Sequence, residues 1–337
     1  MPKLSKTPMM GYAKFNKTVL GIPDNIYENA FDSEFERAVL SSNNCVLRIT
    51  LRLFFKQINP WQLTAPAMRA IAIAQGISVP AGVDVGGYSD ANDNVRLIKQ
   101  WTGQEWTNFI QGVHAQARLW DSRFWLIPPD DFDHLDIVEG SWVNKSGSTT
   151  TRPNIKCEFR LQIAPVISAA HKAIEVVNVI DPRFFRSHSR LYRQSDTTIR
   201  PMDVNDAAMS LVHTNQPTIA HEIGHALGLP HIGVSRKLAR CTVAINLAGL
   251  PQPYIPAFYR GSTNADPCYG DLASAGDIDD IMGGGDKFNT ENAKPWLDRL
   301  PHHFNLGYAD TAMLAAGLPR WKVSKTEHPP MGIVRIK

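Results

Sequence analysis

The segment that most constrains the fold of this chain is residues 218–233, which read TIAHEIGHALGLPHIG. On a helix of about 3.6 residues per turn, His221 and His225 project from the same face, one turn apart. Two imidazoles in that relation bind one metal ion without bending the backbone. The spacing therefore predicts a metal-binding helix, which we place at 216–228.

This helix has recognisable signals at both ends. Pro217 suits a first helical turn, and Thr214 or Asn215 is a candidate N-cap. Gly228 is suited to the left-handed conformation that ends a helix, and Pro230 prevents the helix from resuming. The chain is therefore expected to turn sharply at this glycine.

The turn brings a third histidine, His231, back toward the metal. Three neutral imidazoles leave a fourth coordination position for water, as in catalytic zinc sites. Glu222 is about 100° round the helix from His221, so it borders that position without being a ligand. A carboxylate there is suited to act as general base. The sequence predicts one catalytic Zn²⁺ ion held by His221, His225 and His231, with Glu222 as the catalytic residue.

The full pattern HExxHxxGxxH at 221–231 resembles the extended motif of the metzincin zinc peptidases. The second hallmark of that clan is a methionine turn beneath the metal, and residues 279–284, DDIMGG, are similar to it. The resemblance implies that Met282 forms a soft, apolar floor under the ligands and that Gly228 supports the turn to the third ligand. It points to the clan and to no single family within it.

Two departures from known metzincins limit what the resemblance implies. Astacin- and serralysin-like members carry a tyrosine two residues after the methionine, where this chain has Gly284. The donor to the transition-state oxyanion is therefore not identified, and the candidates are Tyr254, Tyr259, Tyr269, His302 and His303. The cysteine-containing latency motif of matrixins is absent.

Gluzincins take a downstream glutamate as third ligand, but no glutamate lies between His225 and Glu291, which favours the metzincin interpretation.

Periodicity elsewhere predicts a mixed sheet with a few helices. Residues 46–56 and 155–163 alternate between apolar and polar side chains, as half-buried strands do. Shorter apolar runs at 124–127, 174–180 and 209–213 are further strand candidates. Thr102 and Glu105 form a capping box for a helix whose apolar stripe is Trp106, Phe109, Ile110, Val113 and Ala117. These patterns predict an α+β fold, and the resemblance implies a metzincin-like zincin domain with a mixed twisted sheet.

The predicted organisation has three parts. Residues 1–35 are irregular and are interpreted as an N-terminal arm. Residues 36–231 contain the sheet and the active-site helix, and residues 232–337 form a small C-terminal subdomain with the Met-turn and a tail. By the resemblance, substrate lies in the cleft between the last two parts.

Composition excludes several other classes of protein. Of the 337 residues, 43% are hydrophobic, and the net charge of +3 gives no reason to expect nucleic-acid binding. No apolar run approaches the roughly 18 residues of a membrane span. Residues 1–17 lack the apolar region of a classical secretory signal, although export or delivery from the cell is weakly favoured for a chain with a protease motif.

Cysteines and acidic clusters leave smaller questions open. Cys241 and Cys268 are candidates for a disulfide within a loop, whereas Cys45 and Cys157 lie on strand candidates and are expected to be buried thiols. Acidic residues cluster at 130–136 and 277–286, but neither cluster has an EF-hand pattern. Calcium is therefore unsupported, and we interpret both clusters as solvated turns.

The expected function is that of a zinc-dependent metalloendopeptidase acting on protein or peptide substrates. A further hypothesis, based on the missing classical signal, is a secreted toxin or effector. The alternative is a catalytically idle zinc-binding scaffold or interaction protein, against which the intact Glu222 argues. The sequence does not indicate the cleavage specificity, the oligomeric state or any zymogen control.

Overall fold

The computed structural model describes residues 5–7, 31–36, 44–89, 95–127, 150–151, 154–180, 191–197, 216–229, 280–283, 285–303, 322–325 and 333–334. The strands in these ranges are β1 (Ser5–Thr7), β2 (Asp32–Glu36), β3 (Asn44–Ile58), β4 (Val85–Ser89), β5 (Val95–Lys99), β6 (Phe124–Ile127), β7 (Thr150–Thr151), β8 (Asn154–Ile163), β9 (Lys172–Val177), β10 (Leu191–Arg193), β11 (Lys322–Ser324) and β12 (Ile333–Val334). The α-helices are α1 (Ala65–Gln75), α2 (Gly103–Ala117), α3 (Thr218–Ala226), α4 (Lys294–Leu297) and α5 (Leu300–His303).

Strand β3 lies in the middle of the main sheet. Successive residues of a strand point to opposite faces, and the alternation predicted for 46–56 is confirmed here. On the polar face, the guanidinium of Arg48 lies 2.8 Å from the carboxylate of Glu158. The residues buried completely on the core face are Cys45, Leu47, Ile49, Leu51 and Leu53.

The main sheet is mixed. Its eight strands run in the order β1-β2-β3-β8-β6-β11, with β9 paired to the end of β3 and β10 paired to β9. β3 is parallel to β8 and β9, whereas β2 and β6 are antiparallel to their neighbours. Leu53 pairs with Ile163 on one side and with Lys172 on the other, so β8 and β9 flank β3. Together with the helices, this sheet confirms the predicted α+β class.

The predicted capping box of helix α2 is present. The hydroxyl of Thr102 accepts a hydrogen bond from the N–H of Glu105 at 3.2 Å, and the Glu105 carboxylate accepts one from the N–H of Thr102 at 3.0 Å. The apolar stripe of α2 faces the core and contacts α3. One polar residue, Gln116, is buried within this stripe and is not among the predicted core residues.

The remaining predicted strands agree with the structure where they are described. β6 coincides with the predicted run 124–127, and β8 begins one residue before the predicted run 155–163. The run predicted at 174–180 corresponds to β9, which is shifted toward the N-terminus. The candidate at 209–213 lies outside the described residues.

The described residues of the 232–337 region pack against the main sheet. β11 pairs with the edge of β6, and the indole N–H of Trp296 donates to the Glu158 carbonyl at 3.0 Å. In α5, His303 Nε2 lies 3.0 Å from the hydroxyl of Ser33 on β2. Strand β1, from the predicted arm, pairs antiparallel with β2.

Cys45 and Cys157 are buried on the neighbouring strands β3 and β8, as predicted. Burial raises the pKa of the Cys157 thiol well above its usual value, so this side chain stays protonated and apolar in character. Cys241 and Cys268 lie outside the described residues. No helix in the described parts of the chain is both long and apolar enough to cross a membrane.

Candidate metal centre

Helix α3 carries the predicted metal ligands and is almost completely enclosed by the protein. Every residue from Ile219 to Ala226 is buried. The helix begins after Pro217, whose carbonyl accepts a hydrogen bond from the N–H of His221 at 3.0 Å. Pro217 is therefore the N-cap and not part of the first turn, and no side chain of its own caps the helix. Thr214 and Asn215 lie outside the described residues.

Backbone hydrogen bonds close the C-terminal end of α3. Gly228 has a φ of 86°, the left-handed conformation predicted for it. The N–H of Leu229 donates to the Gly224 carbonyl at 3.0 Å, and the N–H of Gly228 donates to the His225 carbonyl at 3.0 Å. These two bonds form a Schellman motif, which stops the helix and redirects the chain.

His221 and His225 lie side by side on one face of α3. Their ring centroids are 4.6 Å apart and the ring planes are nearly perpendicular, at 87°. Both side chains are buried, with 7% and 9% of their surfaces exposed. Two imidazoles are thus brought together where little water reaches them.

Backbone carbonyls hold both rings at the same nitrogen. His221 Nδ1 lies 2.7 Å from the Ile281 carbonyl oxygen, and His225 Nδ1 lies 2.8 Å from the Leu229 carbonyl oxygen. Since a carbonyl oxygen only accepts, these contacts assign a proton to each Nδ1, and a ring in its neutral form then has its lone pair on Nε2. Metal-binding histidines characteristically donate their second ring nitrogen to such a partner, which fixes both tautomer and orientation.

The electrostatic surroundings keep His221 neutral. Burial lowers the pKa of this imidazole to about 4, although the hydrogen bond to the Ile281 carbonyl partly opposes the shift. A neutral imidazole is the form that binds a metal ion, whereas the imidazolium has no lone pair to offer. His221 is therefore in its ligand form at neutral pH.

Glu222 follows His221 directly and is also buried, with 6% of its surface exposed. Burial raises the pKa of its carboxyl group to about 8, the charge of Asp196 raises it further, and Lys172 opposes the change. Its Oε2 atom is buried without a hydrogen-bond partner among the described residues. A buried carboxyl oxygen without a hydrogen bond is unfavourable, so this atom is a candidate for contact with a further polar group.

The turn at 280–283 lies against the first half of α3. The carboxylate of Asp280 accepts hydrogen bonds from the N–H of Met282 at 2.7 Å, from the N–H of Asn289 at 3.0 Å and from the amide of Asn292 at 3.2 Å. These bonds fix the position of the Ile281 carbonyl that holds His221. Asp280 is completely buried, so the interpretation of the acidic cluster at 277–286 as a solvated turn is wrong for Asp280. Burial raises the pKa of its carboxyl group to about 6 against the opposing effect of these bonds.

Met282 packs directly on α3 at Gly224. It is 1% exposed, and a Cβ atom added at Gly224 would overlap its sulfur atom. The same Cβ would lie 3.0 Å from Cζ2 of Trp120. Gly224 therefore permits a close approach between the helix and the methionine, and it is a site residue that the sequence reasoning did not single out.

Three further residues at the N-terminal end of α3 were not anticipated. Gln116 accepts from the N–H of Ile219 at 2.9 Å and from that of Ala220 at 3.3 Å. The indole N–H of Trp120 donates to the Ala220 carbonyl at 2.8 Å. Gln216 lies with its amide nitrogen 2.9 Å from His221 Nδ1 and donates to the Gly283 carbonyl at 2.8 Å.

The structure brings together His221, Glu222, His225, Gly228 and Met282, while His231 lies outside the described residues. Within the described ranges, no group of three or more His, Cys, Asp or Glu side chains is arranged to hold a metal ion. Tyr254, Tyr259, Tyr269, Gly284 and the acidic cluster 130–136 also lie outside, as does the side chain of His302. His303 is placed beside Ser33 and Phe35.

The described part of the predicted site offers two imidazoles whose Nδ1 atoms lie against backbone carbonyls, which is the arrangement of the second ring nitrogen in metal-binding histidines. Glu222, next to His221 in the sequence, has a buried carboxyl oxygen with no partner among the described residues. Nitrogen ligands of this type suit zinc and accept other first-row divalent ions as well.

Comparisons with models of known protein families, with curated proteins and with solved structures gave no match.

Proposed function

We propose that this chain is a zinc-dependent metalloendopeptidase of the metzincin type. The observation that carries the proposal is the common orientation of His221 and His225, each held at Nδ1 by a backbone carbonyl, next to a buried Glu222. A merely structural pair of histidines has no need of an adjacent buried carboxylate.

In this proposal His221, His225 and His231 hold the metal, and Met282 supports them from below. When bound, zinc supplies Lewis-acid polarisation of the scissile carbonyl and acidifies water. The carbonyls of Ile281 and Leu229 keep both rings of α3 in their ligand orientation, so no reorganisation is required when substrate binds.

Glu222 is the proposed general base. Burial favours the protonated form of this group in the metal-free protein, and the positive charge of a bound zinc ion would favour the carboxylate. That carboxylate would accept a proton from the attacking water while the water oxygen bonds to the carbonyl carbon of the substrate. It then passes this proton to the leaving amine as the C–N bond breaks. The enclosed position of Glu222 excludes bulk water, which strengthens each electrostatic interaction in the site.

The finer architecture is part of the same proposal. The sharp turn at Gly228 separates a sheet-containing part from a small C-terminal subdomain that contains the Met-turn at 279–284, with the substrate cleft between them. β11, from the C-terminal region, joins the main sheet. Peptide substrates would bind in extended form along a sheet edge, with affinity from main-chain hydrogen bonds and specificity from side-chain pockets.

The test compares Glu222→Ala with His225→Ala, using zinc content by elemental analysis and cleavage of a diverse peptide library. We expect E222A to keep zinc and to lose cleavage by about 10³-fold or more, because the base is gone but the ligands remain. H225A should lose both. His114→Ala on α2 and Glu175→Ala on β9 are matched controls, which should keep both properties.

Cleavage retained by a zinc-loaded E222A protein would overturn the assignment of the base. A wild-type protein that binds zinc stoichiometrically yet cleaves no peptide, with or without chelator, would instead favour the zinc-binding scaffold. Wild-type protein that binds no zinc at all would overturn both the metallopeptidase proposal and the zinc-binding scaffold.

A further inference from the structure

The N-terminal end of α3 has no cap from its own segment. The first N–H groups of a helix lack partners within the helix, and a side chain of the N-cap residue usually accepts from them. Here the N-cap is Pro217, which has no side-chain acceptor. These N–H groups are buried, so the protein must provide an acceptor from elsewhere.

Gln116 of α2 provides that acceptor. Its Oε1 atom accepts from the N–H of Ile219 at 2.9 Å and from the N–H of Ala220 at 3.3 Å, which are the two positions a normal N-cap side chain would serve. Its Nε2 atom donates to the Asp196 carbonyl at 2.8 Å. Gln116 is 3% exposed, so all of these bonds are shielded from solvent.

The residues that Gln116 holds immediately precede His221 and Glu222. A change in the position of the first turn of α3 would therefore move both side chains together. It would also alter the distance between His221 Nδ1 and the Ile281 carbonyl, because that carbonyl belongs to a separate turn held by Asp280. His225 would be affected less, since its partner, Leu229, belongs to the opposite end of the same helix.

We propose that Gln116 is a positioning residue of the metal centre, which sets the placement of His221 and Glu222 by capping α3 from a neighbouring helix. This inference rests on the proposed function. Gln116 touches neither metal nor substrate, so its effect passes through the backbone of Ile219 and Ala220.

The experiment titrates metal-free protein with Co²⁺, whose visible absorption spectrum reports ligand geometry independently of activity. Gln116→Met keeps the length of the side chain but removes its acceptor and its donor. We expect Q116M to bind Co²⁺ about tenfold more weakly, the lower end of the loss seen for outer-shell partners of metal ligands. Its absorption bands should shift, and kcat should fall while KM changes by less than about twofold.

Two further variants separate positioning from general stability. Leu97→Ala creates a cavity in a core cluster distinct from the one that contains α3, so it should lower the melting temperature without changing the Co²⁺ affinity or spectrum. Gln116→Glu retains an oxygen acceptor for the two N–H groups, and should recover most of the affinity that Q116M loses.

Wild-type Co²⁺ affinity and spectrum in folded Q116M would overturn the inference, and so would an equal loss of affinity in L97A. If Q116M does not fold, the test uses Gln116→Asn instead. Its side chain is shorter by one methylene, so its amide oxygen lies farther from the N–H of Ile219. Q116N should then bind Co²⁺ at least threefold more weakly, and wild-type binding would overturn the inference. Failure of the proposed function is distinguishable, since it would appear as absent Co²⁺ binding or absent cleavage in the wild-type protein.

Discussion

The two ends of α3 are formed in different ways. At the C-terminal end, the chain stops its own helix with a left-handed glycine and two short-range backbone hydrogen bonds. At the N-terminal end, the helix depends on side chains and a turn that are distant in sequence. The Ile219 N–H bonds to Gln116, 103 residues away, and the His221 ring bonds to the Ile281 carbonyl, 60 residues away.

The two ends of the helix therefore position their site residues differently, one by local hydrogen bonds and the other by tertiary contacts. The C-terminal end can form as soon as the helix forms, since every group involved lies within six residues. The N-terminal end takes its final position only when α2 and the turn at 280–283 have packed against it. His225 is thus oriented by local structure, whereas His221 and Glu222 depend on tertiary structure.

The largest expected effect on stability tests the N-terminal end. Trp120→Phe removes the hydrogen bond to the Ala220 carbonyl and part of a completely buried ring, which packs edge-on against Phe288 at 4.9 Å. We expect the free energy of unfolding in urea to fall by about 3 kcal/mol.

Trp101→Phe is the matched control for Trp120→Phe. Trp101 is also buried, but its indole nitrogen has no hydrogen-bond partner among the described residues. W101F should therefore lower the free energy of unfolding by about 1 kcal/mol less than W120F does, and it should leave metal affinity unchanged. Equal losses of stability in the two variants would show that the hydrogen bond from Trp120 to the Ala220 carbonyl does not stabilise the N-terminal end of α3.

The next effect concerns pH and the turn that holds His221. Burial raises the folded-state pKa of Asp280 from 3.8 to about 6, so the folded protein holds this proton more tightly than the unfolded chain does. The resulting contribution to the free energy of unfolding is fully present below pH 3.8 and is lost as the pH rises through about 6. At 1.36 kcal/mol per pKa unit, the contribution is about 2 to 3 kcal/mol. Between pH 4 and pH 7, wild type should therefore lose about this much more stability than Asp280→Asn.

The measurement is urea unfolding of the metal-free protein at a series of pH values. Asp286→Asn, an exposed change just beyond the same turn, should reproduce the wild-type curve. A curve for D280N that runs parallel to wild type would show that Asp280 does not titrate in this range.

The smallest effect tests the C-terminal end. An L-residue in the left-handed region costs about 1 to 2 kcal/mol, so Gly228→Ala should lower the free energy of unfolding by that amount. Strain at this position also displaces the Leu229 carbonyl from His225, and Co²⁺ affinity should fall by a few-fold.

Gly76→Ala is the control for backbone strain. Gly76 ends α1 with a φ of 60° and has open space where a Cβ would lie. G76A should lose a similar amount of stability and keep wild-type Co²⁺ affinity. If both glycine variants weaken metal binding equally, the C-terminal turn has no special link to His225.

The sequence predicts the features of the site that are local. The spacing of His221 and His225, the turn at Gly228 and the alternation along β3 all depend on residues within a few positions of one another. Each of these local patterns is present in the structure. The α+β class also follows from such patterns.

Other features were not predictable because their partners are remote in sequence. A glutamine within the apolar stripe of α2 gives no indication that it caps a second helix, although a polar residue at a core position is itself a sign that a partner exists. Gly224 is similar, since only the packed position of Met282 shows why a side chain there would be excluded. The third ligand, His231, stays a prediction.

The pairing of β3 with β8 has a consequence for how the protein is made. Arg48 and Glu158, which join these strands, are 110 residues apart. At a synthesis rate of about 5–20 residues per second, β3 emerges roughly 5–20 s before its central partner. During that interval β3 can join only the preceding strands β2 and β1, and its other edge is open. Arg48, Arg52 and Lys56 on its polar face are charged residues that oppose aggregation of the nascent strand.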